Sequence, residues 1–400
     1  MNSQSRQPLP KESSLREQEL LACMIHPGEA DDHLGELVLS NEIHWPELIA
    51  LATRQGVFPL LYRSVQRLPP HSISPHITGQ LHAMYIAGTQ RSLRLALQLL
   101  RLLDLLAEQG IDALAMKGPA LAAQAYGALE LRNYCDLDVL IHRQDFPQVY
   151  EVLVQHGYQP DFPLLDRNAQ RRHQRTDKDF KFTYQGDTFE IHWEIADKDS
   201  YFPLQIEQFW EETTCVEVLG RPVRTFSPQN AVWMACLHGA RHGWDQLKWV
   251  ADLAHLMHAF PELDWRSIFK QARRAGFYRL LCTGLLLALD PGGATLPEEI
   301  MCRIKAEPRA AQLAEKARGW LLCGERAPQP FERLIFFIQN RERARDHLRY
   351  WSRWLLTPGR GDLMRRNLPE QFVGLWVILR PMRLARKYGL SFLRSMCKMA

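Results

Sequence analysis

The chain lacks any pairing of its cysteines. Cys23, Cys135, Cys215, Cys236, Cys282, Cys302, Cys323 and Cys397 are scattered, and no two stand in a Cys-x-x-Cys spacing. This argues against a zinc ribbon or a disulfide framework and for a reducing compartment. Long apolar runs are missing too: none reaches the roughly 18 uninterrupted residues of a membrane span. The first residues, MNSQSRQPLPKESS, are polar and contain no signal-peptide core. A cytoplasmic protein is the expectation from these absences. Charge of one sign is scarce, since a net +4 on 400 residues is a mild basic excess that does not by itself mark a nucleic-acid binder. Internal repeats and low-complexity tracts are absent. What is present, 46% hydrophobic and 24% charged residues, suits a soluble globular protein of more than one domain.

Periodicity divides the chain. Residues 1–14 read as an arm, and apolar residues then recur at helical spacing (Leu20, Leu21, Met24, Leu48, Leu51, Leu60). After a loop from Pro69 to Pro75, a helix is expected from Ile77 to Gln109, with a stripe of Leu93, Leu95, Leu97, Leu100, Leu103 and Leu106 and Gly110 at its end. The texture then becomes mixed. Ile111–Met116 reads as a strand entering Lys117-Gly118-Pro119, Ala120–Tyr126 as a helix, and Cys135–Ile141 (CDLDVLI) as a strand. Gln144–His156 reads as a helix, and Phe180–Tyr184 with Thr188–Ile195 as a hairpin around Gln185-Gly186-Asp187. From Pro228 the pattern is helical again, over Asn230–His242, Leu247–Phe260 and Trp265–Leu289. The expected class is α+β: a mixed-sheet core over 106–226, a helical region over 1–105, a helical domain over 227–330 and a basic, aromatic-rich helical tail over 331–400.

Chemistry concentrates in Lys117–Ile141, KGPALAAQAYGALELRNYCDLDVLI. On a strand Asp136 and Asp138 share one face, with Leu137 and Val139 on the other. Adjacent carboxylates repel unless a cation lies between them, and hard cations such as Mg²⁺ take oxygen ligands together with substrate phosphates. Two solvated acids on an edge strand would give the same spacing. Three neighbours favour the site. Lys117-Gly118 makes a tight turn suited to phosphate oxygens. Arg132 is placed to contact a triphosphate or to hold an aspartate. A third carboxylate follows in Phe189-Glu190-Ile191-His192-Trp193-Glu194, where Glu190, His192 and Glu194 would share a strand face. Three carboxylates from two strands suit a two-metal phosphoryl or nucleotidyl transfer site. Glu190 is the first choice for the third acid, which can also serve as general base, and Glu194 the alternative. His192 suits a phosphate contact, a supporting contact or a structural hydrogen bond.

The order Lys-Gly-x-Ala-Leu, a later Tyr, an Arg and then Asp-Leu-Asp on a strand resembles the nucleotidyltransferase fold of the DNA polymerase β superfamily. Within it the chain is most similar to a bacterial group of uncharacterised nucleotidyltransferases. Glu190–Trp193, the run Leu247-Lys248-Trp249-Val250-Ala251-Asp252-Leu253 and Arg380-Pro381-Met382-Arg383-Leu384 extend the resemblance over roughly residues 85–390. The resemblance implies Mg²⁺-dependent (or Mn²⁺-dependent) transfer of a nucleoside monophosphate from a triphosphate such as ATP to an acceptor, with pyrophosphate released. The acceptor is open among a small molecule, a sugar, a peptide and a protein. It further implies Gly118 in the phosphate-binding turn, Asp136 and Asp138 in the metal site and Glu190 in the third carboxylate position. Gly118-Pro119 departs from the superfamily's commoner Gly-Gly or Gly-Ser, and the linker from Gly118 to Asp136 is long. A non-catalytic nucleotide-binding module is therefore the second reading, and a toxin-like transferase acting on RNA or protein a third.

Other features have blander readings. His238 and His242 share a helix face, but two ligands make no zinc site and no Glu follows His238, so a face lining the cleft is expected. Arg241, His242 and Lys248 suit a basic wall on the acceptor side. Lys248 and Asp252 are spaced as a surface ion pair. In the tail, Arg341, Arg343, Arg345, Arg349, Arg353, Arg365, Arg366, Arg380, Arg383, Arg386, Lys387, Arg394 and Lys398 are interleaved with Tyr350, Trp351, Trp354, Phe372, Trp376 and Phe392. That pattern fits a subdomain packing its aromatics inward, then a peripheral contact at the inner membrane, and less well nucleic acid.

Overall fold

The computed structural model describes residues 15–28, 43–69, 72–164, 166–196, 206–322, 327–356 and 379–384. Its strands are β1 (Ala113–Ala115), β2 (Asp136–Ile141), β3 (Gln159–Pro160), β4 (Asp179–Tyr184), β5 (Asp187–His192), β6 (Thr213–Val218) and β7 (Arg221–Phe226). They form a seven-stranded sheet in the order β3-β4-β5-β2-β1-β7-β6. The sheet is mixed: β1 and β7 run parallel, while β3–β4, β4–β5 and β6–β7 are antiparallel. The fold is the expected combination of a mixed sheet with many helices.

The described chain opens on α1 (Leu15–Met24), α2 (Trp45–Arg54), α3 (Phe58–Val65) and α4 (Pro75–Glu108). Ser74 caps α4 by accepting from the Ile77 amide, and Gly110 follows its end at φ 69°, a left-handed position that glycine adopts without steric cost. Only part of the expected stripe faces inward. Leu95, Leu100 and Leu106 are buried, whereas Leu93 and Leu97 are exposed. After β2 come α5 (Phe146–Gln155) and α6 (Arg167–Thr176). Beyond β7 follow α7 (Pro228–His242), α8 (Leu247–Ala259), α9 (Trp265–Ala275), α10 (Tyr278–Leu289), α11 (Glu298–Lys305), α12 (Pro308–Leu322), α13 (Pro330–Gln339) and α14 (Ala344–Leu356). The single helix expected over Trp265–Leu289 is two helices. Gly276 stops α9 at φ 73°, and its amide returns to the Ala272 and Arg273 carbonyls.

The chain gathers into two compact units, Met1–Val139 with Glu207–Glu342, and Leu140–Ile206 with Arg343–Ala400. In the first, α8 is buried almost all round (Leu247, Val250, Leu253, Leu256) and packs on α7, α10 and the turn at 122–126. In the second, Phe146, Tyr150, Phe180, Phe182 and Trp193 form an aromatic core between α5 and the β4–β5 hairpin.

Both two-residue hairpins carry positive φ at both turn positions. These are Gln185 (51°) and Gly186 (84°) after β4, and Leu219 (51°) and Gly220 (77°) after β6. The second hairpin was not expected as strands, because β6 alternates weakly and is mostly accessible. Strand β5 is shorter than expected. Pairing ends at Asp179 opposite His192, and the amides of Trp193 and Glu194 both turn to the Lys178 carbonyl. Glu194 therefore lies beyond the strand, and the expectation that it shares a strand face with Glu190 and His192 is corrected.

Candidate active site

The first unit supplies the turn and the aspartates. Strand β1 runs into Lys117 and then Gly118, whose φ is +54°. A Cβ on Gly118 would meet the Asp136 carbonyl oxygen at 3.5 Å, an ordinary contact, so backbone conformation rather than space selects glycine here. The helix expected over Ala120–Tyr126 is one α-turn (Gly118–Leu121) with Pro119 near its start, running into a π-helical turn (Ala122–Tyr126). Gly127 (φ 68°) ends that turn, and the chain returns through Arg132 to β2.

On β2 the alternation is as the sequence requires. Leu137 and Val139 are fully buried, Asp138 is buried on the opposite face and Asp136 is half-buried. The Lys117 ammonium lies 3.4 Å from an Asp138 carboxylate oxygen. The Met116 amide donates to the Asp138 carbonyl at 3.0 Å, which fixes that aspartate against the turn.

Arg132 is buried, and its Nε and Nη2 donate to the two carboxylate oxygens of Asp252 at 2.8 and 3.0 Å. The Tyr126 hydroxyl donates to the same carboxylate at 2.9 Å. Burial opposes the guanidinium charge, but Asp252 carries its pKa above the ordinary arginine value. Burial and then Asp252 push the Tyr126 hydroxyl well above its ordinary value. Of the two roles expected of Arg132, the geometry shows the holding of an aspartate, and that aspartate is Asp252. The surface pair expected between Lys248 and Asp252 is corrected accordingly: Asp252 is buried, and the Lys248 ammonium lies 4.2 Å from the centre of the Trp249 ring.

His238 and His242 also gather on Trp249, with ring centres 4.4 and 5.2 Å from it. Burial, then Lys117, holds His238 well below the usual histidine pKa; burial, then Arg241, lowers His242 to about 3. His238 and Trp249 line a pocket with Lys117, Arg132 and Asp252, and Met116, Leu121 and Met234 add apolar lining. Lys248, packed on Trp249, has its pKa lowered by burial.

In the second unit, the β4–β5 register sets Lys181 opposite Glu190 and Asp179 opposite His192. The Lys181 ammonium is hydrogen-bonded to Glu190, and a second Glu190 oxygen lies 3.5 Å from His192 Nε2. Ile191 and Trp193 point into the aromatic core, where the Trp193 indole donates to the Asp177 carbonyl at 3.0 Å. Lys178, Asp179 and Lys181 were not anticipated; the signal available was the alternation of Asp179 and Lys181 on β4, opposite His192 and Glu190.

The basic tail is only partly a surface. Arg341 is buried, with its guanidinium 5.3 Å from the Phe277 ring and 5.2 Å from the Phe337 ring, and Arg380 is buried too. Arg365, Arg366, Arg386, Lys387, Arg394, Lys398, Phe372, Trp376 and Phe392 lie outside the described residues. Among the described residues no helix is long and apolar enough to cross a membrane.

A family model described as uncharacterised nucleotidyltransferase matches residues 41–290. A search of curated proteins found no match. Among solved structures, the antibiotic-resistance factor ANT(2'')-Ia is 16% identical, with 57% of this chain and 96% of that one covered and a TM-score of 0.28. An antigenic nucleotidyltransferase-like protein from Paracoccidioides brasiliensis is 15% identical, with 57% and 92% covered and a TM-score of 0.31.

Proposed function

Because the chain belongs to the uncharacterised nucleotidyltransferase family, we propose that it transfers a nucleoside monophosphate from a nucleoside triphosphate to an acceptor, with Asp136, Asp138 and Glu190 holding a divalent cation. The observation that carries this reading is the placement of Asp136 and Asp138 on one face of β2, beside the left-handed Lys117-Gly118 turn.

The donor set suits such an ion. Carboxylate oxygens are the ligands that Mg²⁺ and Mn²⁺ prefer. The ammonium groups of Lys117 and Lys181, at Asp138 and Glu190, stand where positive charge is expected. When bound, the cation neutralises charge on the attacking and leaving oxygens.

The chain's own residues do the rest. Lys117 and the Gly118 turn receive triphosphate oxygens, the turn through its backbone. Pro119 has no N–H to add, so Lys117 carries more of that contact. Arg132, fixed by Asp252, holds the segment that delivers Asp136. Arg241, His242 and Lys248 form the acceptor wall; His242 is neutral near pH 7, so its contribution is a hydrogen bond rather than a charge.

Transfer of label from each of the four α-³²P nucleoside triphosphates, with Mg²⁺ or Mn²⁺ and a cell extract as acceptor pool, tests the reading. Wild type is expected to label an acceptor, and Asp138→Asn to lose at least about a hundredfold, since cation and charge placement supply several kcal/mol. Equal labelling by wild type and Asp136→Asn/Asp138→Asn would sink the reading. Nucleotide binding without transfer by either protein favours a non-catalytic module.

A further inference from the structure

Helix α14 turns two parallel rows outward. Arg345, Arg349 and Arg353 stand four residues apart, and so do Leu348, Ser352 and Leu356. Members of a row lie one above another, about 6 Å apart along the axis. All six residues are exposed. Leu348 is 72% exposed and Leu356 40%, and among the described residues no large apolar side chain is more open than Leu348. The helix's one acid, Asp346, is buried, as is Tyr350, and Trp351 is half-buried. The outward face therefore sets a basic row beside an apolar one, with no exposed acid of its own.

Candidate occupants of such a face differ in what they can use. A second copy of it would set arginine against arginine, with no acid to answer either. A nucleic-acid strand would satisfy the guanidiniums through its phosphates and leave the leucine row in water. An anionic bilayer uses both rows. Its headgroup phosphates accept from the guanidiniums, while the leucines enter the boundary between headgroups and acyl chains. Arginine stems are long enough to keep their charge among the headgroups while the helix lies along the surface. Trp351, one turn on from Leu348, is of the side-chain type that favours that boundary.

We propose that α14 docks this chain on an anionic phospholipid bilayer, with Arg345, Arg349 and Arg353 on headgroup phosphates and Leu348 and Leu356 inserted beside them. The contact is peripheral, a helix lying on the surface rather than crossing it. With Tyr350 turned inward, α14 keeps to the chain by one face and offers the other. Attraction to the charged surface supplies most of the binding and is screened by salt, and the leucines make the contact specific to a bilayer. The docking needs neither nucleotide nor cation, so it stands apart from the transferase reading.

Co-sedimentation of the full chain with vesicles tests this. Wild type is expected to pellet with equimolar phosphatidylcholine and phosphatidylglycerol, hardly with phosphatidylcholine alone, and less as salt rises. Arg345→Gln/Arg349→Gln/Arg353→Gln should weaken binding about a hundredfold, at roughly fivefold for each charge lost near an anionic surface. Leu348→Ser should weaken it about tenfold, and Leu348→Trp should strengthen it. Every replaced side chain is exposed, so the variants should unfold at the wild-type urea concentration. A wild type that ignores anionic vesicles, or binding that survives both the arginine and the serine replacements, overturns the proposal. So does a Leu348→Ser chain that binds as tightly as wild type while the arginine variant fails. Retention of single-stranded RNA by the same arginines would then identify a phosphate-binding face in place of a bilayer one.

Discussion

Replacing Asp252 with asparagine removes the charge that holds a buried guanidinium at two points and a buried tyrosine hydroxyl at a third. An isolated charge in that setting is far costlier than a paired one, so Asp252→Asn is expected to destabilise the protein by about 3–5 kcal/mol. The joint replacement Arg132→Met/Asp252→Leu should cost much less, because it buries no uncompensated charge. Urea unfolding of the two variants checks this, and a loss below about 1 kcal/mol in Asp252→Asn would show the pair to be dispensable. This contact also marks a limit of what the sequence discloses. Lys248 and Asp252, four apart on a helix, suggest each other by local spacing. The real partner is 120 positions away, and no periodicity reports a contact of that range. The clue was that Asp252 interrupts an otherwise apolar run, WVADLAHL, where an acid must find a buried partner.

Element by element, legibility follows the strength of the periodic signal. Helix α4, strand β2 and the β4–β5 hairpin lie within a few residues of where the sequence puts them, because each has a clear period or turn signal. Strands β6 and β7 were hidden by their accessible faces, and by a turn whose first residue is leucine where asparagine or glycine would announce a hairpin. That same leucine gives a test. Leu219 sits at φ 51°, a conformation that costs a residue with a Cβ roughly 1–2 kcal/mol and that asparagine tolerates better. Leu219→Asn, next to Gly220, should therefore stabilise the protein by about 0.5–1 kcal/mol. A calorimetric midpoint that stays put or falls would mean that the packing of the leucine outweighs its backbone cost.

At the scale of the whole molecule, buried histidines couple folding to acidity. His255, stacked on Tyr126 with Nε2 3.2 Å from the Ile25 carbonyl, has its pKa lowered by burial to about 3, as does His242. An unfolded histidine titrates near 6.5. Above that value the imidazoles are neutral in both states and contribute no pH dependence. Between about 6.5 and 3 the unfolded chain binds protons that the folded chain refuses, so stability falls as pH falls. Urea midpoints at pH 7.5, 6 and 5 should decline in that order, and His255→Gln should shallow the slope; a flat profile would contradict the burial of these rings. The proposed acids Asp136, Asp138 and Glu190 stood out in the sequence by alternation on strands, and the structure has each of them on a strand. Lys117 was read with its turn, but Lys181 was not singled out, since a lysine on a strand usually signals nothing beyond a solvated face. Yet they change how the site relates to its surroundings. Lys117 lies against Asp138 and Lys181 against Glu190, so the chain carries counter-ions for its own acids. Each of these acids is charge-compensated before anything arrives. Under the proposed function, a dication binding either acid would have to displace a tethered ammonium, which favours metal delivered together with the triphosphate over an ion kept in permanent residence.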